Sequence, residues 1–203
     1  MVGQDARPRL KSQGPMCLWF TGLPASGKST IANLFERRLF ELGKHAYVLD
    51  GDNLRLGLNR DLRFSNEDRI ENIRRVAEVA RLFVDAGMLI LVAVISPFQH
   101  ERELARSRFP STQFYEIFVD APLAECERRD PKGLYAKARR GEIVNFTGID
   151  GVYDRPESPD MVLDTLTYTA EQCADLVMLN FKERLFQPTL IPRSIQLLTE
   201  INK

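Results

Sequence analysis

Residues 22–30 read Gly-Leu-Pro-Ala-Ser-Gly-Lys-Ser-Thr. Gly22 and Gly27 bracket Leu23, Pro24, Ala25 and Ser26, and Lys28, Ser29 and Thr30 follow. This is the G-x-x-x-x-G-K-[ST] spacing of a P-loop. The two glycines permit backbone shapes that a Cβ would obstruct, so successive N–H groups can point into one concavity. A helix beginning near Ser29 adds its N-terminal dipole, which favours phosphate there. Lys28 can reach the β- and γ-phosphates, and the Ser29 hydroxyl can ligate Mg2+. A glycine-rich turn before an ordinary helix is the plain alternative, but the complete motif in a strand–loop–helix context points to a nucleoside triphosphate. The motif does not name the acceptor.

Asp50 and Asp52 flank Gly51 at the end of a second apolar run. Carboxylates beside a P-loop can position Mg2+ through water or take a proton from an acceptor hydroxyl. Asp52 is favoured as the base, and Asp50 as its orienter or as a contact to the metal's waters. A third apolar run ends in Ser96, where switch GTPases and motor ATPases usually place an aspartate. That favours a kinase acting on a small acceptor. Ser96 itself could bind substrate, carry a phosphoryl group, or simply terminate a strand. Arg55, Arg60, Arg63 and Arg69 surround Phe64. Guanidinium groups suit phosphate or sulfate oxygens, and an aromatic face suits a base; a solvated charged face is the simpler reading. Lys132, Lys137, Arg139 and Arg140 could close over a transferring phosphate and exclude water.

These residues need strands that end together. Apolar runs at 16–21, 46–49, 88–95, 114–119 and 161–164 read as strands. Helical patterns run over 29–42, 65–86, 100–108, 122–128, 134–140 and 169–186. Ser65 followed by Asp68 resembles a capping box. The alternation predicts an α/β, doubly wound parallel sheet with ligands at the carboxyl ends of the strands. Residues 130–153 are basic and punctuated by glycine, and read as a lid. Residues 1–14 read as a flexible lead, 15–187 as a P-loop kinase domain and 188–203 as a tail.

The chain has 203 residues, long enough for one such domain. Its hydrophobic share of 44% argues against disorder. Lys+Arg and Asp+Glu are both 28, so there is no general basic excess of the kind a sequence-independent nucleic-acid binder shows. Cys17, Cys126 and Cys173 are far apart and fit a reducing cytoplasm better than a disulfide framework. The N-terminal residues lack the apolar core of a signal peptide, and no stretch approaches a membrane span.

Five blocks carry a more specific resemblance. Residues 50–65 read Asp-Gly-Asp-Asn-Leu-Arg-x-Gly-Leu-Asn-x-Asp-Leu-x-Phe-Ser, and residues 67–75 read Glu-Asp-Arg-Ile-Glu-Asn-Ile-Arg-Arg. Then come Ile-Ser-Pro-Phe at 95–98, Arg-Asp-Pro-Lys-Gly-Leu-Tyr at 129–135 and Phe-Thr-Gly-Ile-Asp at 146–150. Over residues 16–187 the chain resembles the adenylyl-sulfate kinase family. The resemblance implies a three-layer P-loop kinase fold with a mostly parallel five-stranded sheet and a mobile lid. It implies transfer of the ATP γ-phosphoryl, with Mg2+, to the ribose 3′-hydroxyl of adenosine 5′-phosphosulfate. Asp52 would serve the acceptor hydroxyl. Arg55, Arg69 and Asn72 would hold the phosphosulfate, and Phe64 and Phe146 would sandwich the adenine. Ile95, Ser96 and Lys132 would line the same pocket, and Arg129 would meet the ATP adenine. Ser96 matches a serine assigned in the family as a phosphoenzyme site, although in-line transfer between two bound nucleotides needs only positioning and charge stabilisation. A homodimer in the cytoplasm and a functional partnership with ATP sulfurylase are further implications, with neither nucleic acid nor membrane as partner. Gly151-Val152-Tyr153-Asp154 departs from the commoner Asp-Pro-Tyr-Glu. Two other readings share the P-loop: a kinase for another small metabolite, and a non-catalytic nucleotide-binding regulator.

Overall fold

The structure is a computed structural model that describes residues 6–186. Its strands are β1 (Met16–Thr21), β2 (Ala46–Asp50), β3 (Leu89–Ala93), β4 (Phe114–Asp120) and β5 (Met161–Asp164). Its helices are α1 (Ala6–Lys11), α2 (Lys28–Glu41), α3 (Gly51–Leu56), α4 (Asn66–Asp85), α5 (Gln99–Arg106), α6 (Leu123–Arg129), α7 (Leu134–Arg139) and α8 (Ala170–Leu185).

Every residue of β1 is buried, because this strand has neighbours on both edges and helices on both faces. Its side chains alternate. Met16, Leu18 and Phe20 pack with Ile31, Phe35 and Leu39 of α2 and with Val177 and Phe181 of α8. Cys17 and Trp19 point the other way, to Ile73, Ala77 and Ala80 of α4 and Ala105 of α5. The sheet runs β2-β3-β1-β4-β5 with every pairing parallel. The result is three layers, and β1 lies where the chain's crossovers change direction. That arrangement opens a crevice at the strand ends.

All five strands stand where the apolar runs place them. β3 is shorter than expected: the ladder stops at Ala93, and Ser96 turns away with φ 40°. The helix α3, in a segment outside the helical patterns, exists because the Asp50 side chain accepts from Asp52 N at its start. At α4 the Ser65 hydroxyl accepts from Asp68 N as expected, but the Asp68 carboxylate accepts from Arg63 N instead of closing the box.

Residues 6–14, expected as a flexible lead, are docked instead. Arg7 pairs with Asp85 at 2.6 Å. Gln13 is fully buried and donates to the carbonyls of His45 and Gly87, both at 2.9 Å. Two polar side chains thus satisfy backbone at the amino end of the sheet. The expected tail at 188–203 lies outside the described residues. Among those residues, no helix is long and apolar enough to cross a membrane.

Candidate active site

Thr21 ends β1, and the loop begins at once. Gly22 has φ 150°, and a Cβ there would stand 2.5 Å from the Val119 carbonyl oxygen of β4. Gly27, at φ 109°, starts α2. These two positions need glycine for different reasons, the first for close approach and the second for conformation. Lys28 is buried, and its Nζ donates to Gly22 O at 2.9 Å and Leu23 O at 2.7 Å. Burial lowers its pKa to about 8; the neighbouring Cys126, Asp50 and Asp52 oppose the shift.

The next residue links two elements. Ser29 Oγ donates to Asp50 Oδ2 at 2.5 Å, and Asp50 Oδ1 accepts from Asp52 N at 3.0 Å. One carboxylate therefore joins the P-loop helix to the short helix that carries Asp52. The Asp52 carboxylate in turn pairs with Lys132. Lys28, Ser29, Asp50, Asp52 and Lys132 thus bring two ammonium groups, a hydroxyl and two carboxylates together beside the loop.

Arg129 lies on the other flank of the loop. It donates to Ser26 O at 3.2 Å and to the Thr165 hydroxyl and carbonyl at 3.0 and 2.7 Å, and Glu125 holds its Nε. Thr165 also donates to Ser26 O at 3.1 Å. Thr165 was not singled out from sequence, because a threonine after a strand carries no signal of its own.

Of the four arginines around Phe64, Arg55 and Arg69 are brought onto it. The Arg55 guanidinium sits 4.5 Å from the Phe64 ring centroid. Arg69 donates to Phe64 O at 3.2 Å, Thr147 Oγ1 at 2.8 Å and Asn145 O at 2.6 Å. It thus clips together the backbones beside Phe64 and Phe146. Burial holds the pKa of both arginines below the ordinary range, and the Arg69 charge lowers that of Arg55 further. Two half-buried cations kept this close favour an anion between or beside them. Asn72 is buried and accepts from Asn59 at 3.0 Å.

Ser96 is turned inward. It is 2% exposed, its hydroxyl donates to Thr21 Oγ1 at 2.9 Å, and it accepts from Trp19 Nε1 at 3.1 Å. The hydroxyl faces inward, and the side chain braces the strand end. The Ile95 carbonyl accepts from Thr21 Oγ1 at 2.7 Å. Arg139 and Arg140, expected over the phosphates, pair on the surface with Glu127 and Glu142.

Segment 130–153 meets the P-loop at Leu23, Pro24 and Ala25. The buried Tyr135 hydroxyl donates to Pro24 O, and a Cβ at Gly148 would stand 3.1 Å from Leu23. Phe146 packs edge-on against Tyr135, with centroids 5.0 Å apart. Tyr135 too was not singled out from sequence.

Comparison with known proteins extends this picture. The family described as adenylylsulphate kinase matches residues 14–164. The adenylyl-sulfate kinase of Marinobacter nauticus is 55% identical over 183 residues, covering 90% of this chain and 92% of that one. The bifunctional enzyme NodQ of Rhizobium sp. (strain N33) is 59% identical over 86% of this chain, which spans only 27% of that protein's length. The structure of the Mycobacterium tuberculosis APS kinase CysC in complex with AMPPNP and APS superposes with a TM-score of 0.81 at 52% identity, over 84% of this chain and 99% of that one.

Proposed function

The chain belongs to the adenylylsulphate kinase family, and from that membership we propose that it transfers the γ-phosphoryl of ATP to the ribose 3′-hydroxyl of adenosine 5′-phosphosulfate. The products are 3′-phosphoadenosine 5′-phosphosulfate and ADP. The observation that carries the reading is the continuous link from Lys28 through Ser29 and Asp50 to Asp52, with the Arg55, Phe64 and Arg69 group as the acceptor's side.

The triphosphate lies on backbone N–H groups of residues 22–30, and Lys28 exchanges its own loop's carbonyls for the β- and γ-oxygens. The Ser29 hydroxyl and, through water, the Asp50 carboxylate are hard oxygen donors that fit Mg2+, whose remaining positions water and phosphate can fill. When bound, this ion supplies neutralisation of phosphate charge. Asp52 takes the proton of the 3′-hydroxyl as that oxygen bonds to phosphorus and the bond to the β–γ bridging oxygen breaks. Lys132 stabilises negative charge beside it. Arg55, Arg69 and Asn72 hold the phosphosulfate, Phe64 and Phe146 receive the adenine, and Ile95 and Ser96 wall the pocket. Arg129 meets the adenine of ATP. A direct in-line transfer needs no phosphoserine, in keeping with the inward Ser96 hydroxyl.

The kinase unit is assigned to residues 15–187, with 130–153 as its lid. A homodimer in the cytoplasm is the assembly we infer. ATP sulfurylase is the functional partner, as the class of activity that supplies adenosine 5′-phosphosulfate. Relatives named as bifunctional enzymes support an association with a second activity.

The test is ADP release from Mg·ATP with adenosine 5′-phosphosulfate, AMP or a sugar as acceptor. Turnover with adenosine 5′-phosphosulfate alone is the expected result; turnover only with another acceptor overturns the assignment. Asp52→Ala is expected to lower turnover by roughly 100-fold or more in folded protein.

A further inference from the structure

Arg102 is a charged side chain that is only 1% exposed, one turn into α5. Its guanidinium reaches four places at once. Nη1 donates to Ser96 O at 2.9 Å, and Nη2 donates to Gln99 Oε1 at 2.5 Å and to Asp154 O at 2.8 Å. Nε lies 2.7 Å from Glu116 Oε1 of β4, a carboxylate that is also buried. A buried ion pair is weak grounds for stability, since an apolar pair of similar volume often serves as well. What an apolar pair cannot do is fix two carbonyls from distant segments.

Both carbonyls belong to residues whose placement matters. Ser96 holds φ 40°, a left-handed conformation that a non-glycine residue keeps only when its surroundings fix it. Its hydroxyl is fixed by Thr21 and Trp19, and its carbonyl by Arg102. Asp154 lies just beyond the proposed lid, and residues 153–155 each grip a different strand end. The Tyr153 hydroxyl and Thr21 Oγ1 at the end of β1 lie 3.0 Å apart. Asp154 N donates to Pro97 O at 2.7 Å beyond β3, and its carboxylate accepts from Gln99 N at 3.1 Å. Arg155 forks onto Asp120 at the end of β4.

We propose that Arg102 is a positioning residue for the acceptor pocket: a single guanidinium sets the Ile95–Ser96 wall and the exit of the lid in one fixed relation. The proposal rests on the assignment of Ile95 and Ser96 to the adenosine 5′-phosphosulfate pocket. Arginine is required because its planar fork serves several acceptors, where a lysine ammonium of the same charge cannot span them.

The experiment compares Arg102→Lys, Asp154→Ala and Asp154→Asn with the unsubstituted enzyme in steady-state kinetics for both substrates, alongside thermal melts. Arg102→Lys keeps a cation opposite Glu116. It is expected to raise KM for adenosine 5′-phosphosulfate about tenfold while KM for ATP stays within about twofold, since small displacements of a positioned wall act on one substrate. Asp154→Ala moves the same KM in the same direction, and Asp154→Asn restores it, because the amide oxygen still accepts from Gln99 N. A folded Arg102→Lys enzyme with an unchanged KM for adenosine 5′-phosphosulfate, or with both KM values raised equally, overturns the proposal. If Arg102→Lys does not fold, an unchanged KM in Asp154→Ala overturns it. Absence of turnover with adenosine 5′-phosphosulfate in the unsubstituted enzyme instead removes the acceptor assignment and this inference with it.

Discussion

The Tyr135 hydroxyl donates to the Pro24 carbonyl across 3.0 Å, tying helix α7 to the P-loop. Burial pushes the phenol's pKa far up, so it remains a neutral donor across the working range. Tyr135→Phe removes the bond and keeps the ring against Phe146. The expected loss is about 1 kcal/mol, a fall of roughly 2–4 °C in Tm. The ATP KM rises several-fold, because the loop loses a brace on its outer side. Scanning fluorimetry with and without ATP checks this; an unchanged melt in both conditions shows that the bond holds nothing.

Lys28 gives a pH signature. Its pKa is about 8 in the folded chain, below the ordinary 10.5, because burial disfavours the charged form. Between these values the unfolded chain holds more protons, so the lysine's contribution to stability grows as pH rises through the window. Against Lys28→Ala, the unsubstituted protein should gain on the order of 2–3 kcal/mol between pH 7.5 and 10.5. Denaturant midpoints of both proteins, taken across that range, measure the difference; parallel curves contradict the buried lysine. Lys28→Ala also loses turnover while folding normally.

How much of this was legible depends on what each contact requires. The P-loop is local, and its glycines, lysine and serine are read directly from order and spacing. β1 is legible because a strand buried on both faces is a continuous apolar run. α3 is hidden because its start depends on the capping carboxylate of Asp50, not on apolar spacing. Tyr135, Thr165 and Arg102 are hidden for a different reason. Their partners are the carbonyls of Pro24, Ser26 and Ser96, and any residue type supplies a carbonyl. Gln13 is the extreme case: a glutamine near the N-terminus reads as solvated until the chain returns His45 and Gly87 beside it. The inward turn of Ser96 follows from Trp19 and Thr21, which a strand pattern marks only as core.

The docked N-terminal segment depends on Gly87. This residue has φ 82°, and a Cβ would stand 2.9 Å from backbone atoms of Arg7 and Pro8. Gly87→Ala should therefore lift α1 from the end of α4 and cost roughly 1–2 kcal/mol through both strain and lost contacts. Limited trypsin digestion reads it directly. Cleavage after Arg9 should accelerate, with catalysis unaffected; an unchanged digestion rate contradicts the docking.

Glu101 titrates with the opposite sign to Lys28. It is fully buried, and burial raises its pKa to about 7 against the charges of Arg69 and Arg102, with Asp154 reinforcing the rise. The folded chain then holds more protons than the unfolded chain between pH 4.5 and 7. The stabilising contribution is complete below about pH 4.5 and is lost as pH rises through 7. Glu101→Gln is neutral throughout and still offers an oxygen to Phe98 N, which donates to Glu101 at 3.4 Å. Relative to the unsubstituted protein it should gain on the order of 1–3 kcal/mol between pH 4.5 and 8. Unfolding midpoints across that range decide the matter; a constant difference places the carboxyl's pKa elsewhere.

Phe146 offers a test that distinguishes the two proposed nucleotide sites. Its ring packs on Tyr135, and the residues on either side of it, Asn145 and Thr147, are held by Arg69. Arg69 also holds the Phe64 carbonyl, and Phe64 is 61% exposed, with the Arg55 guanidinium 4.5 Å from its ring centroid. Phe146→Ala removes one aromatic face from this arrangement and leaves the Tyr135 hydroxyl on Pro24. Stacking of a base on an aromatic ring contributes about 1–3 kcal/mol, or roughly 5- to 150-fold in affinity. The variant should weaken adenosine 5′-phosphosulfate by a factor in that range and ATP by no more than about threefold. Titration calorimetry with each nucleotide measures both. Equal losses would mean that Phe146 acts by supporting the P-loop through Tyr135, and that the acceptor's base is held by Phe64 without an opposing ring.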